Sequence, residues 1–222
     1  MSSSARSLRF YFDLISHNAW LAWARLPAIC AEHELQLRPI PVLFAGLLKH
    51  HGQVGPAEVA PKREWMLRNV LRKAHAHGIA IAPPASHPFN PLVPLRALSA
   101  LQGEQRVQAT ERLFRATWAE SKPIHDPACV AAELDACGLD ADAVMQAIQT
   151  PAVKDALRQQ TEQALADGVF GVPTLAVDGE LFFGFDDLPW LERKLAGSDP
   201  LPDPLPDLAA WQAIRPTAER RR

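Results

Sequence analysis

The chain has 222 residues, enough for one large domain or two small ones with a core that needs no disulfide or metal staples. Its apolar and charged fractions are those of an ordinary globular protein, and a formal charge of −2 supplies no electrostatic attraction for nucleic acid or an anionic membrane. No window approaches the ~18 uninterrupted apolar residues of a membrane-spanning helix, and the opening Met-Ser-Ser-Ser-Ala-Arg-Ser lacks the apolar core of a signal peptide, so the expected compartment is a reducing cytoplasm.

Leu8 to Leu14 is dense in aromatic and apolar residues and predicts a mostly buried strand. Ser16 follows at once. Asn18 to Glu34 then carries Trp20, Leu21, Ala24, Leu26, Ile29 and Cys30 at helical spacing, with Pro27 expected to kink or loosen the helix. Leu35 to Leu43 reads as a second strand. Pro39 and Pro41 place it at a sheet edge, and the length of the connection favours a parallel pairing with the first strand.

The middle of the chain reads as helical. Helices are expected over Ala60 to Gly78, Leu92 to Leu101, Arg106 to Glu120, Pro127 to Cys137, Ala141 to Gln149 and Pro151 to Ala166, with a proline-punctuated loop from Pro83 to Pro94. The pattern returns to strands at Thr174 to Val177 and Glu180 to Phe183, joined by Asp178-Gly179, a strong two-residue hairpin signal. Asp186 to Leu195 predicts a final helix. The Pro- and Asp-rich remainder reads as a surface-draped or disordered extension.

The order is β-α-β, a block of helices, then β-β-α. It predicts an α/β fold: a thioredoxin-like sheet drawn from both ends of the chain, with a large all-helical insertion. The expected division is 1–44 and 168–197 for the sheet domain, 45–167 for the inserted helical domain, and 198–222 for the tail. Ligands usually occupy a cleft between such a sheet and an inserted lobe.

Candidate chemistry gathers at the junctions. Ser16 lies at a strand-to-helix turn, where a hydroxyl can hydrogen-bond an anion or simply cap the helix. Gly171-Val172-Pro173-Thr174 stands at a strand entrance. A cis Val172–Pro173 bond there would turn the Val172 backbone toward the cleft, in reach of a peptide-like ligand. Asp186, in Gly184-Phe185-Asp186-Asp187, can cap the last helix or bind a ligand ammonium. Lys62 can serve a solvated helix start or meet a carboxylate, and Asn90 can make a local turn bond or line the cleft. His17 adjoins Ser16 and can tune or protonate a neighbour. The remaining histidines lack zinc-pair spacing, so no metal is expected. Cys30, Cys129 and Cys137 form no Cys-x-x-Cys and read as buried small hydrophobes.

Taken together, Phe10-Tyr11-Phe12-Asp13-Leu14-Ile15-Ser16 with Ala19-Trp20-Leu21-Ala22 resembles the opening of the 2-hydroxychromene-2-carboxylate isomerases. That family groups with the kappa-class glutathione transferases in the DsbA-like branch of the thioredoxin superfamily. Leu47 to Gln53, Pro61 to Trp65 and His87 to Asn90 resemble its inserted lobe. Gly168 to Thr174 and Phe183 to Asp186 resemble its C-terminal half, so the likeness runs over roughly residues 8–196. It implies glutathione as cofactor and a small aromatic substrate, in a reaction interconverting 2-hydroxychromene-2-carboxylate and trans-o-hydroxybenzylidenepyruvate. It implies that Ser16 hydrogen-bonds the glutathione sulfur, that Val172 and Pro173 meet its backbone, and that Asp186 holds its γ-glutamyl end. Lys62 and Asn90 fall where the family places further polar cleft residues, and His17 and Asn18 flank the serine as substrate contacts. His17 and Asn18 stand where the family commonly carries proline and an aromatic residue, and Asp187 where it often carries arginine. The same resemblance leaves open a transferase acting on other electrophiles, a binding protein without turnover, and a homodimer. A disulfide oxidoreductase is not expected, because Ser16 occupies the place of its low-pKa cysteine.

Overall fold

The computed structural model describes residues 6–202 and 208–217. The first five residues, 203–207 and 218–222 lie outside it, and with them part of the reading of the N-terminus and of the tail.

Four strands form one sheet. β1 (Ser7–Phe12) pairs in parallel with β2 (Gln36–Pro41) and antiparallel with β3 (Thr174–Val177), which pairs antiparallel with β4 (Glu180–Phe183). The order is β2-β1-β3-β4, so the two ends of the chain share a sheet, as the element order predicts. β2 is an edge strand, which is why it tolerates Pro39 opposite Phe10 and Pro41 opposite Phe12. The β3–β4 turn has positive φ at both Asp178 (51°) and Gly179 (84°), as a tight two-residue hairpin requires.

Pro27 does more than kink its helix. The chain forms α1 (His17–Trp23) and α2 (Leu26–Glu32) as separate segments, with Pro27 in the first turn of α2, where its missing N–H is harmless. The helical block opens with α3 (Phe44–His51), which the sequence reading leaves unassigned. A 3₁₀ turn at Pro56–Glu58 and α4 (Ala60–His77) follow, and Gly78 ends α4 in the left-handed region at φ 63°. Next come α5 (Leu92–Ala100), α6 (Gly103–Trp118), α7 (Pro127–Asp135), α8 (Ala141–Ala147) and α9 (Pro151–Ala166). α10 (Leu188–Leu195) starts two residues later than expected. The tail, read as draped or disordered, contains a short helix, α11 (Leu208–Gln212).

Alternation along β1 divides the core. Leu8, Phe10 and Phe12 face one side, where Phe10 and Phe12 stack at 5.3 Å and Trp23 of α1 and Phe114 of α6 close over them. Tyr11 faces the other side, with Val42, Leu47 of α3, Ala164 of α9, Val169 and Val172. The inserted helices therefore cover both faces of the sheet. Burying each large aromatic in this way contributes about 1.5–3 kcal/mol, and the packing fixes where β1 ends and Ser16 begins.

Candidate functional site

β1 ends in a turn organised by Asp13. The Asp13 carbonyl accepts from Ser16 N–H at 3.0 Å. Its carboxylate accepts from Ile15 N–H at 3.1 Å and, from the start of α3, Phe44 N–H at 3.0 Å. The side chain is 1% exposed, and burial pushes its pKa up to about 7, with the two N–H donors pulling the other way. Asp13 was not singled out from the sequence, where it reads as one polar residue closing an aromatic strand.

Ser16 caps α1: its Oγ accepts from Ala19 N–H at 3.2 Å. The same hydroxyl faces the Val172 carbonyl, with Oγ–O at 3.4 Å. That bond is long, so the hydroxyl hydrogen is only weakly committed. The Val172–Pro173 peptide is cis, as the Gly-Val-Pro-Thr motif predicts. Val172 is itself 8% exposed. Its loop is tied down by Thr174 Oγ1 donating to Gly171 C=O at 2.8 Å and Gly184 N–H donating to Pro173 C=O at 2.8 Å. Gly171 has no room for a side chain, since an added Cβ would sit 2.8 Å from the Phe183 ring.

Asp186 does not cap the last helix. α10 begins at Leu188, and the Asp187 carboxylate turns back to accept from Phe183 N–H at 2.8 Å. Asp186 instead pairs with Lys73 of α4, Nζ–Oδ2 2.7 Å. Lys73 was missed from the sequence because it sits in a run of charges. The available signal was its place beside Val70 and Ala74 on the inward face of α4. Lys62, about three turns earlier, is exposed and makes no hydrogen bond or ion pair among the described residues.

The 83–94 loop crosses over the Ser16 turn. His87 Nε2 lies 3.1 Å from the Ile15 carbonyl, and the His87–Pro88 bond is cis. Asn90 is exposed and makes the local bond, its Oδ1 accepting from Leu92 N–H at 3.0 Å. Trp118 donates from Nε1 to Leu14 C=O at 2.9 Å and lies between two histidines, with ring centroids 5.9 Å from His17 and 5.6 Å from His87. Burial lowers the His17 pKa to about 4, helped by the His87 and Lys73 charges, while Asn18 weakly favours the protonated ring. His17 Nδ1 and Asn18 Oδ1 are buried, yet neither meets a hydrogen bond of good geometry among the described residues. Beside Ser16 there are thus polar atoms with unused capacity and a neutral imidazole, and the Lys73 charge reaches His17. Such a set can hold a polar ligand and favour an anion at the serine.

All three cysteines are free. Burial pushes the Cys30 thiol up to about 11 and also raises Cys129 and Cys137. Among the described residues no cluster of three His, Cys, Asp or Glu could hold a metal, and no helix is long and apolar enough to cross a membrane.

Residues 7–196 match the model of the DSBA-like thioredoxin domain. The chain is 30% identical over 194 residues to a 2-hydroxychromene-2-carboxylate isomerase of Sphingobium xenophagum, covering 86% of this chain and 98% of that protein. It is 27% identical over 211 residues to glutathione S-transferase kappa 1 of Homo sapiens, covering 88% and 93%. Among solved structures, a 2-hydroxychromene-2-carboxylate isomerase superposes with a TM-score of 0.76 at 25% identity, over 93% of this chain and 99% of the other.

Proposed function

The chain belongs to the DSBA-like thioredoxin domain family, on the side of the 2-hydroxychromene-2-carboxylate isomerases and kappa-class glutathione transferases, and from that premise we propose that it is a glutathione-dependent isomerase of aromatic-compound catabolism. Its substrate pair would be 2-hydroxychromene-2-carboxylate and trans-o-hydroxybenzylidenepyruvate, or a close relative. The observation that carries the reading is the weakly committed Ser16 hydroxyl facing Val172 beside cis-Pro173.

The residues fit glutathione on the grounds just given: unused polar capacity at Ser16, His17 and Asn18, and a carboxylate at Asp186. Ser16 would hold the sulfur, Val172 and Pro173 the peptide backbone, and Asp186 the γ-glutamyl ammonium. Bound glutathione supplies a thiolate that adds reversibly to a conjugated carbon, which frees the former double bond to rotate. Ser16 Oγ–H would donate to that sulfur and lower the cost of its charge. His17, neutral above about pH 4, offers a hydrogen bond to the substrate without adding a charge. Lys73 would supply a cation beside Asp186, and the exposed Lys62 and Asn90 would meet the substrate. A soluble, cytoplasmic enzyme is the setting we propose.

The test is turnover of trans-o-hydroxybenzylidenepyruvate with and without glutathione. Conversion that requires glutathione and leaves no S-conjugate supports the isomerase. Accumulation of an S-conjugate identifies a transferase, and tight binding with no conversion identifies a binding protein.

A further inference from the structure

A cavity of about 350 Å³ lies between α5, α9 and the start of α3, and none of its lining residues belongs to the site around Ser16. Its walls follow from helical spacing. On α9, Leu157, Thr161 and Leu165 recur every four residues as one stripe, and Lys154, Arg158 and Glu162 form a second beside it. Leu92 and Arg96, also four apart, line it from α5, and Leu43 lines it from just before α3. The first stripe is largely buried and the second exposed, so the cavity has an apolar floor and a charged rim.

The spare hydrogen-bonding capacity here is cationic. The Thr161 hydroxyl is used twice, donating to Leu157 C=O at 2.9 Å and accepting from Leu43 N–H at 3.0 Å. The Glu162 carboxylate accepts from Arg158 Nη1 at 2.8 and 3.0 Å. Arg96 and Lys154 meet no acceptor and no carboxylate among the described residues, and Arg96 Nε is buried with no partner. Arg96, Lys154 and Arg158 thus face a single lining carboxylate, in a chain whose formal charge is −2. A half-buried guanidinium set against leucines leaves its donors unsatisfied unless an acceptor arrives from outside the chain.

We infer that this cavity is a second binding site, for a small amphipathic monocarboxylate whose apolar body lies on Leu43, Leu92, Leu157 and Leu165 and whose carboxylate meets Arg96 and Lys154. The selection is by charge and by surface together. A cation is repelled by the rim, and a neutral ligand leaves both cations unpaired. A bare small anion pairs with them but leaves the leucines wet. Glu162 disfavours a second negative charge at the rim. The volume lies at the small end of the ~300–1,000 Å³ range of small-molecule sites, which limits the ligand to a short-chain or single-ring acid. The inference stands independently of the glutathione reading of the Ser16 site.

Calorimetric titration of the full chain tests this with three probes: octanoate, 1-octanol, which keeps the chain without the charge, and acetate, which keeps the charge without the chain. Wild type should bind octanoate at least about tenfold more tightly than either of the others, the scale of one charge-assisted bond. Arg96→Met and Lys154→Met should each weaken octanoate by about tenfold and leave 1-octanol unchanged. Lys154 is exposed, so its replacement spares the fold and decides the matter should Arg96→Met fail to fold. The inference falls if wild type binds octanoate no more tightly than 1-octanol or acetate. It falls if either folded variant binds octanoate as tightly as wild type, which would place the octanoate elsewhere. It also falls if wild type binds no octanoate and is a dimer that Arg96→Met dissociates, which would assign the face to a second copy of the chain.

Discussion

The hydroxyl of Ser16 lies 3.4 Å from the carbonyl oxygen of Val172, although 156 residues separate them in the chain. The contact arises because β1 and β3 are neighbours in the sheet. The turn after β1 and the loop before β3 therefore meet at one end. A second bond, from Ala19 N–H to the same Oγ, holds the serine as a helix cap. One hydroxyl thus both caps α1 and reaches Val172, and a single substitution read by stability and by ligand titration tests each contact.

Ser16→Ala should cost about 1 kcal/mol of stability through the lost cap. With glutathione bound, it should also raise the thiol pKa by about one to two units, since a hydrogen bond to a charged group contributes ~1.5–3 kcal/mol and one unit is ~1.36 kcal/mol. Ultraviolet titration of the thiolate in the complex measures this. A bound thiol whose pKa is unmoved would leave Ser16 as a cap and nothing more.

His17 should remain neutral at pH 5.5, because its folded pKa is about 4. Its folded value lies below the unfolded 6.5, so its contribution to stability is complete above about 6.5 and is lost as pH falls toward 4. NMR titration of the ring carbon shifts reads the pKa. Lys73→Met should raise it by removing a like charge, yet leave it below 6.5, because burial is the larger cause. A His17 that titrates near 6.5 in wild type would place it in water, away from Trp118.

Asp13 runs the other way. Its folded pKa of about 7 exceeds the unfolded 3.8, so the folded state holds the proton more tightly. Its contribution to stability is present below about pH 4 and is lost as pH rises to about 7. Denaturant unfolding of wild type and Asp13→Asn from pH 4 to 8 isolates this group. The wild type should lose a few kcal/mol relative to the asparagine variant over that range, at ~1.36 kcal/mol per pKa unit. A difference that is flat with pH would mean that Asp13 ionises as freely as an exposed carboxylate.

Replacing Cys30, Cys129 and Cys137 together with alanine should leave glutathione-dependent turnover largely intact, because burial disfavours all three thiolates. The variant's kcat, measured after its fold is verified by circular dichroism, is the readout. Loss of turnover in a folded variant would show that a protein thiol takes part.

Much of this site could be read from local chemistry. The aromatic run before Ser16 marked β1, Pro39 and Pro41 marked an edge strand, and Asp178-Gly179 marked the hairpin. Each of these residues restricts its own backbone or its nearest hydrogen bonds, so neighbours in sequence suffice to read them. The same locality explains Ser16 as a cap and Asn90 as a turn residue. It also explains the break at Pro27, which stands in the first turn of α2.

Only the tertiary structure decided which charge meets which. Asp186 reads from the sequence as a helix cap or a partner for a ligand ammonium, and its carboxylate meets Lys73, 113 residues earlier. Lys62 and Lys73 look alike in a charged helix, and only the packing of α4 through Val70 and Ala74 turns Lys73 inward. Asp13 reads as an ordinary polar residue and His17 as a titratable neighbour of Ser16, and only the closing of the sheet, Phe44 and Trp118 around them removes their water. Strand, turn and cap preferences act over a few residues of chain. Desolvation and ion pairing act through space, so they exist only once distant segments have been brought together.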